Sequence, residues 1–176
     1  THDGTSCRIT DERTAQCATT HSPCDVYIDY NEDEVELWDI TDRTAPVRLS
    51  VTPYDGSEYT HSGWWTEDMR YALIHDELDE QRNGHNTRVY VLDLNNLAAP
   101  QIVEVWNGPT RAIDHNGYTL GDKYYMSNYR RGLTILDVTN PTDVTQQTFF
   151  DTFPSSDSAA FNGAWGTYPY LPSGNI

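Results

Sequence analysis

Three histidines are the residues of this chain best placed to do chemistry together. His2, His61 and His115 stand in "THDG", "YTHSG" and "IDHNG", each two residues before a glycine and each leading into β-rich sequence. Imidazoles that meet in space suit zinc, copper, iron or nickel. Without a metal, the same rings close a channel by bonding a neighbour's backbone or a water. Asp114, beside His115, adds a carboxylate to the set. The densest acidic stretch is "HDELDE" at 75–80, where a pair of its carboxylates (Asp76, Glu77, Asp79, Glu80), with Asp76 and Glu77 put first, offers oxygen ligands to calcium. In an alternating strand Asp76 faces away from His75 and Glu77. The run also lacks the Asp-x-Asp-x-Asp-Gly spacing of a calcium loop, and a solvated loop is the plain alternative. The cofactor expectation is therefore either none or one divalent metal, calcium or a transition metal.

The sequence carries no Gly-x-Ser-x-Gly elbow, no phosphate-binding glycine loop and no His-Glu-x-x-His. Carboxylates are so abundant that no pair stands out as acid and base, so no catalytic residue is assigned. The aromatic run "WGTYPY" has the composition of a carbohydrate contact, although packing between sheets is the commoner use of such residues.

The elements that must position these side chains repeat. "VELWDITDRTAP" (35–46), "VYVLDLNNLAAP" (89–100) and "LTILDVTNPTDV" (133–144) share one pattern of apolar run, Asp, apolar residue and polar turn. Runs of this length and composition read as buried strands. Asp39, Asp93 and Asp137, just inside the strand ends, are expected to bond backbone N–H groups of the following turn. The unit holding His115 continues as "NGYTL", "KYYMSNY", "LTILDV" and "TQQTFF", four short strands with tight turns between them. The unit before it reads "WWTED", "RYALIHDE", a polar loop at 79–87, "RVYVLDL" and "QIVEVW". No capped amphipathic helix is apparent.

Four antiparallel strands recurring about every 45–55 residues predict a β-propeller, with a β-sandwich as the runner-up. The predicted units are roughly 1–58, 59–112 and 113–158, with an incomplete fourth at 159–176, all in a single partial propeller domain. Residues 35–50, 89–106 and 133–150 should form the outer strand pairs. His2, His61 and His115 should then line one central channel, with Asp114 at its rim and Asn162 of "FNGAWG" in the matching slot one unit later.

The segments "LWDITDRTAP", "VLDLNNLAAP" and "ILDVTNPTDV" resemble LVIVD repeats. "YTHSGWWTEDMRYALIHDELDE", "AIDHNGYTLGDKYYMSNYRRGLTILDV" and "DTFPSSDSAAFNGAWGTYPYLPSGNI" are similar to the choice-of-anchor B family of secreted bacterial proteins. The resemblance runs over nearly the whole chain and departs most at 5–30. It implies an exported or surface-attached propeller without established catalytic activity, in a longer protein with further blades. The expected function is accordingly non-enzymatic binding or scaffolding outside the cell. The competing classes are a metalloenzyme using the histidine cluster and a structural subunit of an extracellular assembly.

Bulk properties fit this picture. The chain has 176 residues, enough for one domain with a substantial core, and a formal net charge of −16. Such a balance disfavours nucleic acid and anionic membrane as partners, and no apolar run of spanning length is present. The partners expected are the remaining blades of a longer chain, further copies of itself, or a surface protein or carbohydrate. A start inside a motif and a stop at "YLPSGNI", which reads like a strand beginning, suggest a fragment or a processed chain. Cys7, Cys17 and Cys24 lack a Cys-x-x-Cys pair, so one short-loop disulfide plus an odd thiol is expected, in an oxidising compartment.

Overall fold

The computed structural model describes residues 2–18 and 22–176; Thr1 and 19–21, within the first unit, lie outside the described residues. Among the described residues, twelve strands form three separate four-stranded antiparallel sheets, each a simple meander. The first sheet holds β1 (Asp3–Ile9), β2 (Cys24–Tyr30), β3 (Val35–Asp39) and β4 (Val47–Thr52). The second holds β5 (Thr60–Trp65), β6 (Tyr71–Asp76), β7 (Arg88–Asp93) and β8 (Gln101–Asn107). The third holds β9 (Asn116–Leu120), β10 (Lys123–Asn128), β11 (Gly132–Asp137) and β12 (Thr145–Phe150). The first strands β1, β5 and β9 lie side by side, so the sheets stack face to face like the blades of a propeller. A sandwich would have offered two sheets rather than three in series. The ring is not closed.

Packing between blades explains the sequence pattern. Ile28, Tyr30, Val35 and Leu37 of the first blade meet Ala72, Ile74, Tyr90 and Leu92 of the second. On the other face of the second blade, Leu73, Val89 and Val91 meet Tyr124, Met126 and Leu136 of the third. The middle blade is buried on both faces, which is why "YALI" and "VYVL" are continuous apolar runs rather than alternating ones. Each such side chain, fully buried, contributes about 1.5–3 kcal/mol of transfer free energy.

The outer strand pairs carry one local design three times. The pairing register slips between Leu37 and Trp38, between Val91 and Leu92, and between Ile135 and Leu136, always just before the repeated Asp. Asp39 Oδ1 then accepts from Thr41 N at 2.9 Å, Asp93 Oδ1 from Asn95 N at 2.8 Å, and Asp137 Oδ1 from Thr139 N at 3.0 Å. A second cap follows, with Asp42, Asn96 and Asn140 accepting from Thr44, Ala98 and Thr142. The tight turn between β9 and β10 places Gly121 at φ 61°, a conformation that suits a residue without Cβ.

Two features differ from the sequence expectation, and a third, the cysteine pairing, follows it. The segment 151–176, expected to begin a fourth unit, contains no strand; its one pairing is an isolated bridge between Ala164 and Tyr129, which lays it as a strap against blade three. Within the supposed loop at 79–87, α1 (Asp79–Arg82) makes one helical turn. Between β1 and β2, a 3-10 turn over Glu12–Gln16 and the Cys17–Cys24 disulfide dock on blade two, leaving Cys7 as the free thiol. Burial pushes the Cys7 thiol up to about 12, so it stays protonated.

Candidate metal centre in the channel and a buried carboxylate cluster

The glycine of each His-x-Gly has a packing cause. A Cβ on Gly4 would fall 1.9 Å from the Tyr27 hydroxyl, and one on Gly117 would fall 2.3 Å from the Tyr124 ring. At Gly63 it would meet the Leu73 carbonyl at 2.5 Å and the Tyr30 hydroxyl at 2.6 Å. The inner strands therefore accept a tyrosine against bare backbone, and the histidine two residues earlier is carried to the same height in each blade.

The three imidazoles form a stack, one ring per blade. His2 and His61 lie 4.7 Å apart between ring centroids, and His61 and His115 lie 4.4 Å apart. Glu77, just past the end of β6, faces two of them: Oε2 is 3.7 Å from His61 Nδ1 and Oε1 is 3.3 Å from His115 Nε2. Tyr129 donates to Glu77 Oε1 at 2.7 Å. His2 sits at the exposed end, with the Tyr59 hydroxyl 3.1 Å from its Nδ1 and Glu32 3.7 Å away.

Protonation follows from burial. Desolvation, reinforced by the neighbouring imidazoles of His115 and His2, pushes the His61 pKa down to about 3, and desolvation lowers that of His115 as well. Both rings are neutral at pH 7, so their approaches to Glu77 are not ion pairs despite the short distances. The His115 Nδ1–H donates to the Trp165 carbonyl at 2.5 Å, which assigns the lone pair to Nε2. That lone pair faces a carboxylate oxygen. Both nitrogens of His61 are buried without a partner, a cost of about 1–3 kcal/mol for each unmet polar group. A cation between these three side chains would take one nitrogen from each imidazole and an oxygen of Glu77. One ligand atom each from His61, Glu77 and His115 falls within a span of 4.8 Å.

The remaining predicted positions go elsewhere. Asp114 is not at the channel rim. It is fully buried on the far side of its own backbone from His115, where its Oδ2 bonds His75 Nδ1. His75 Nε2 in turn meets the Tyr124 hydroxyl at 2.6 Å. Asp76 is spent on the backbone: it accepts from Glu58 N at 2.8 Å, Tyr59 N at 2.7 Å and the Tyr54 hydroxyl at 2.9 Å. It joins neither of the two groups with metal-binding geometry among the described residues. Asn162 is exposed and holds Arg130 at 2.7 Å, because the segment around it forms a loop and not an inner strand. From that segment it is the Trp165 carbonyl that reaches the channel.

Glu77 was thus grouped by sequence with Asp76 but belongs with the histidines. The signal was alternation: His75 and Glu77 flank Asp76, and the β6 terminus splits all three to different neighbours. Two further carboxylates of "HDELDE", Asp79 and Glu80 of α1, gather with Asp114 in a second cluster, all fully buried; what sequence reasoning missed is the meeting with Asp114. Beside the channel, Asp3, Gly4, Ser62, Gly63, Asn116 and Gly117 line a cavity of about 260 Å³.

No family model matches the chain, and no curated protein matches it. Among solved structures it is similar to the beta-propeller domain of Myceliophteria thermophila Cps50 (Swd1), with 12% sequence identity and a TM-score of 0.48. That likeness covers 85% of this chain, which spans 40% of the other.

Proposed function

We propose that this chain is part of an exported, LVIVD-like propeller of the choice-of-anchor B type that acts as a binding or scaffolding module. In this reading its channel holds one divalent transition-metal ion on His61, His115 and Glu77. The observation that carries it is the pair of neutral, buried imidazoles that each turn a ring nitrogen toward one carboxylate. Two imidazoles and one carboxylate form a donor set suited to zinc, iron or copper. The Trp165 carbonyl on His115 Nδ1 and the Tyr129 hydroxyl on Glu77 would be the outer partners that fix ligand orientation. Export is supported by the Cys17–Cys24 disulfide, a bond that persists in oxidising compartments. The partners in this reading are further blades or further copies of the chain, and a surface protein or carbohydrate.

Elemental analysis of protein purified without chelator tests it, with one equivalent of zinc, iron or copper expected. His61→Ala and Glu77→Gln should each reduce the metal content to a small fraction. Metal-free protein that takes up no zinc on dialysis would end the proposal. Metal-dependent turnover of any substrate would move it to the metalloenzyme class.

A further inference from the structure

We propose that Asp79, Glu80 and Asp114 form a second cation site, distinct from the channel, which takes calcium and ties blade two to blade three. Asp79 and Glu80 open α1 after β6, and Asp114 precedes β9, so the site bridges two blades. All three residues are fully buried. One carboxylate oxygen from each lies within 4.8 Å of the others. Opposite oxygens around a calcium ion stand about 4.8 Å apart, twice a ligand distance of about 2.4 Å.

The unmet groups point to a ligand. Among the described residues, no donor from outside the cluster reaches Asp79 Oδ1, Asp114 Oδ1 or either oxygen of Glu80. The other oxygens are held from outside: Tyr90 donates to Asp79 Oδ2 at 3.1 Å, and His75 bonds Asp114 Oδ2. The surrounding protein thus turns the free oxygens inward and leaves Glu80, wholly buried, aimed at the two aspartates. Nearby positive groups do not neutralise them. Arg111 donates to the backbone carbonyl of Glu80 at 3.1 Å rather than to its carboxylate, and His85 Nε2 stays 3.6 Å from Asp79.

Three buried carboxylates have two ways to exist, with protons or with a cation. Burial, together with mutual repulsion, pushes both Glu80 and Asp79 well above the usual carboxylate range. Protons pair these oxygens one contact at a time, Glu80 with Asp79 and Glu80 with Asp114, whereas one ion draws on all three carboxylates at once. Calcium suits an enclosed cage of oxygens. Magnesium keeps its waters, and transition metals favour the imidazoles of the channel.

The test uses the full 176-residue chain stripped with chelator and titrated at pH 7.5 with calcium chloride. One equivalent should bind, with a rise in unfolding temperature. Terbium, a calcium stand-in, should show emission sensitised by Tyr90, and calcium should quench it by displacement. Glu80→Gln and Asp114→Asn should each raise the calcium dissociation constant at least tenfold, while Glu77→Gln in the channel should leave it unchanged. Absence of both calcium heat and terbium emission in the unmutated chain would overturn the site, in favour of shared protons. So would wild-type affinity in Glu80→Gln.

Discussion

The Arg13 guanidinium, in the connection between β1 and β2, donates to the Met69 carbonyl of blade two at 2.7 Å and to the Leu94 carbonyl at 3.3 Å. Asp11 backs the same group at 2.8 Å. Arg13 is 2% exposed. Gln16 adds contacts to Asn95 and Leu97, so the Cys-rich connection works as a strap between two blades. Arg13→Ala leaves two carbonyls and a carboxylate without their shared donor and should cost roughly 2–4 kcal/mol of unfolding free energy. Urea denaturation of the oxidised protein measures this, and a change below about 0.5 kcal/mol, the range of ordinary surface substitutions, would refute it.

Acid should release the same strap. Hydrogen bonds from the Arg13 side chain, with lesser help from the charge of Arg70, hold Asp11 down to about 2 against the desolvation that opposes them. An unfolded aspartate titrates near 3.9, so the contribution is fully present above about pH 4 and is lost as pH falls toward 2. The difference in urea midpoint between the parent and Asp11→Asn should therefore be largest above pH 5 and shrink steadily below pH 4. A difference constant from pH 2 to 6 would show that the pair contributes nothing through ionisation.

Much of this architecture is legible in the sequence because its signals are local. The strand–Asp–turn unit repeats three times, and Asp39, Asp93 and Asp137 all accept from the turn that follows. The His-x-Gly step places one imidazole per blade because inner strands start at one height. Illegible were the contacts made by strand ends. Asp114 and His115 are neighbours in sequence, yet one points under the sheet and the other into the channel. The Asp79–Glu80–Asp114 cluster joins residues more than 30 positions apart through a one-turn helix whose sequence reads as a polar loop. Burial of charge carries no hydropathy signature.

Gly63 is the inner glycine with least room to yield, since a methyl group would meet the Leu73 carbonyl at 2.5 Å, a backbone atom within the same sheet. Gly63→Ala should destabilise by roughly 1–3 kcal/mol, as overpacking does. It should also displace Tyr30, whose hydroxyl lies 2.6 Å from the added carbon. Gly166→Ala, with open space around it, is the control and should leave the thermal midpoint in place. Equal midpoints for both variants would contradict the packing account of the His-x-Gly step.

The three repeated aspartates should differ in worth according to burial. Asp39 is 1% exposed, whereas Asp93 and Asp137 are half-exposed. Asp39→Ala strands a turn N–H in the interior and should cost about 1–3 kcal/mol, while Asp93→Ala should cost nearer 0.5–1 kcal/mol because water replaces the carboxylate. Thermal denaturation of the two variants side by side orders them, and a greater loss for Asp93→Ala would refute burial as the deciding factor.

The open ring has two unlike ends. The outward face of blade one is polar: Glu36 accepts from Arg48 and from the Trp38 indole, each at 2.9 Å. The outward face of blade three aligns Tyr125 with Ile135 and Leu133 with Phe150 across paired strands, and Phe150 is 69% exposed. An apolar sheet face of this kind, next to an unpaired strand edge, recruits another surface. The chain should therefore self-associate through blade three as its concentration rises. Light scattering should show mass growing beyond 20.1 kDa in the micromolar range, with calcium and channel metal both removed. Phe150→Lys places charge on the most exposed apolar side chain of this face, at its free edge, and should restore the monomer, whereas Trp38→Lys on the opposite end should not. A parent chain that stays monomeric at high concentration, or an association unmoved by Phe150→Lys, would show that this face is not the sticky one.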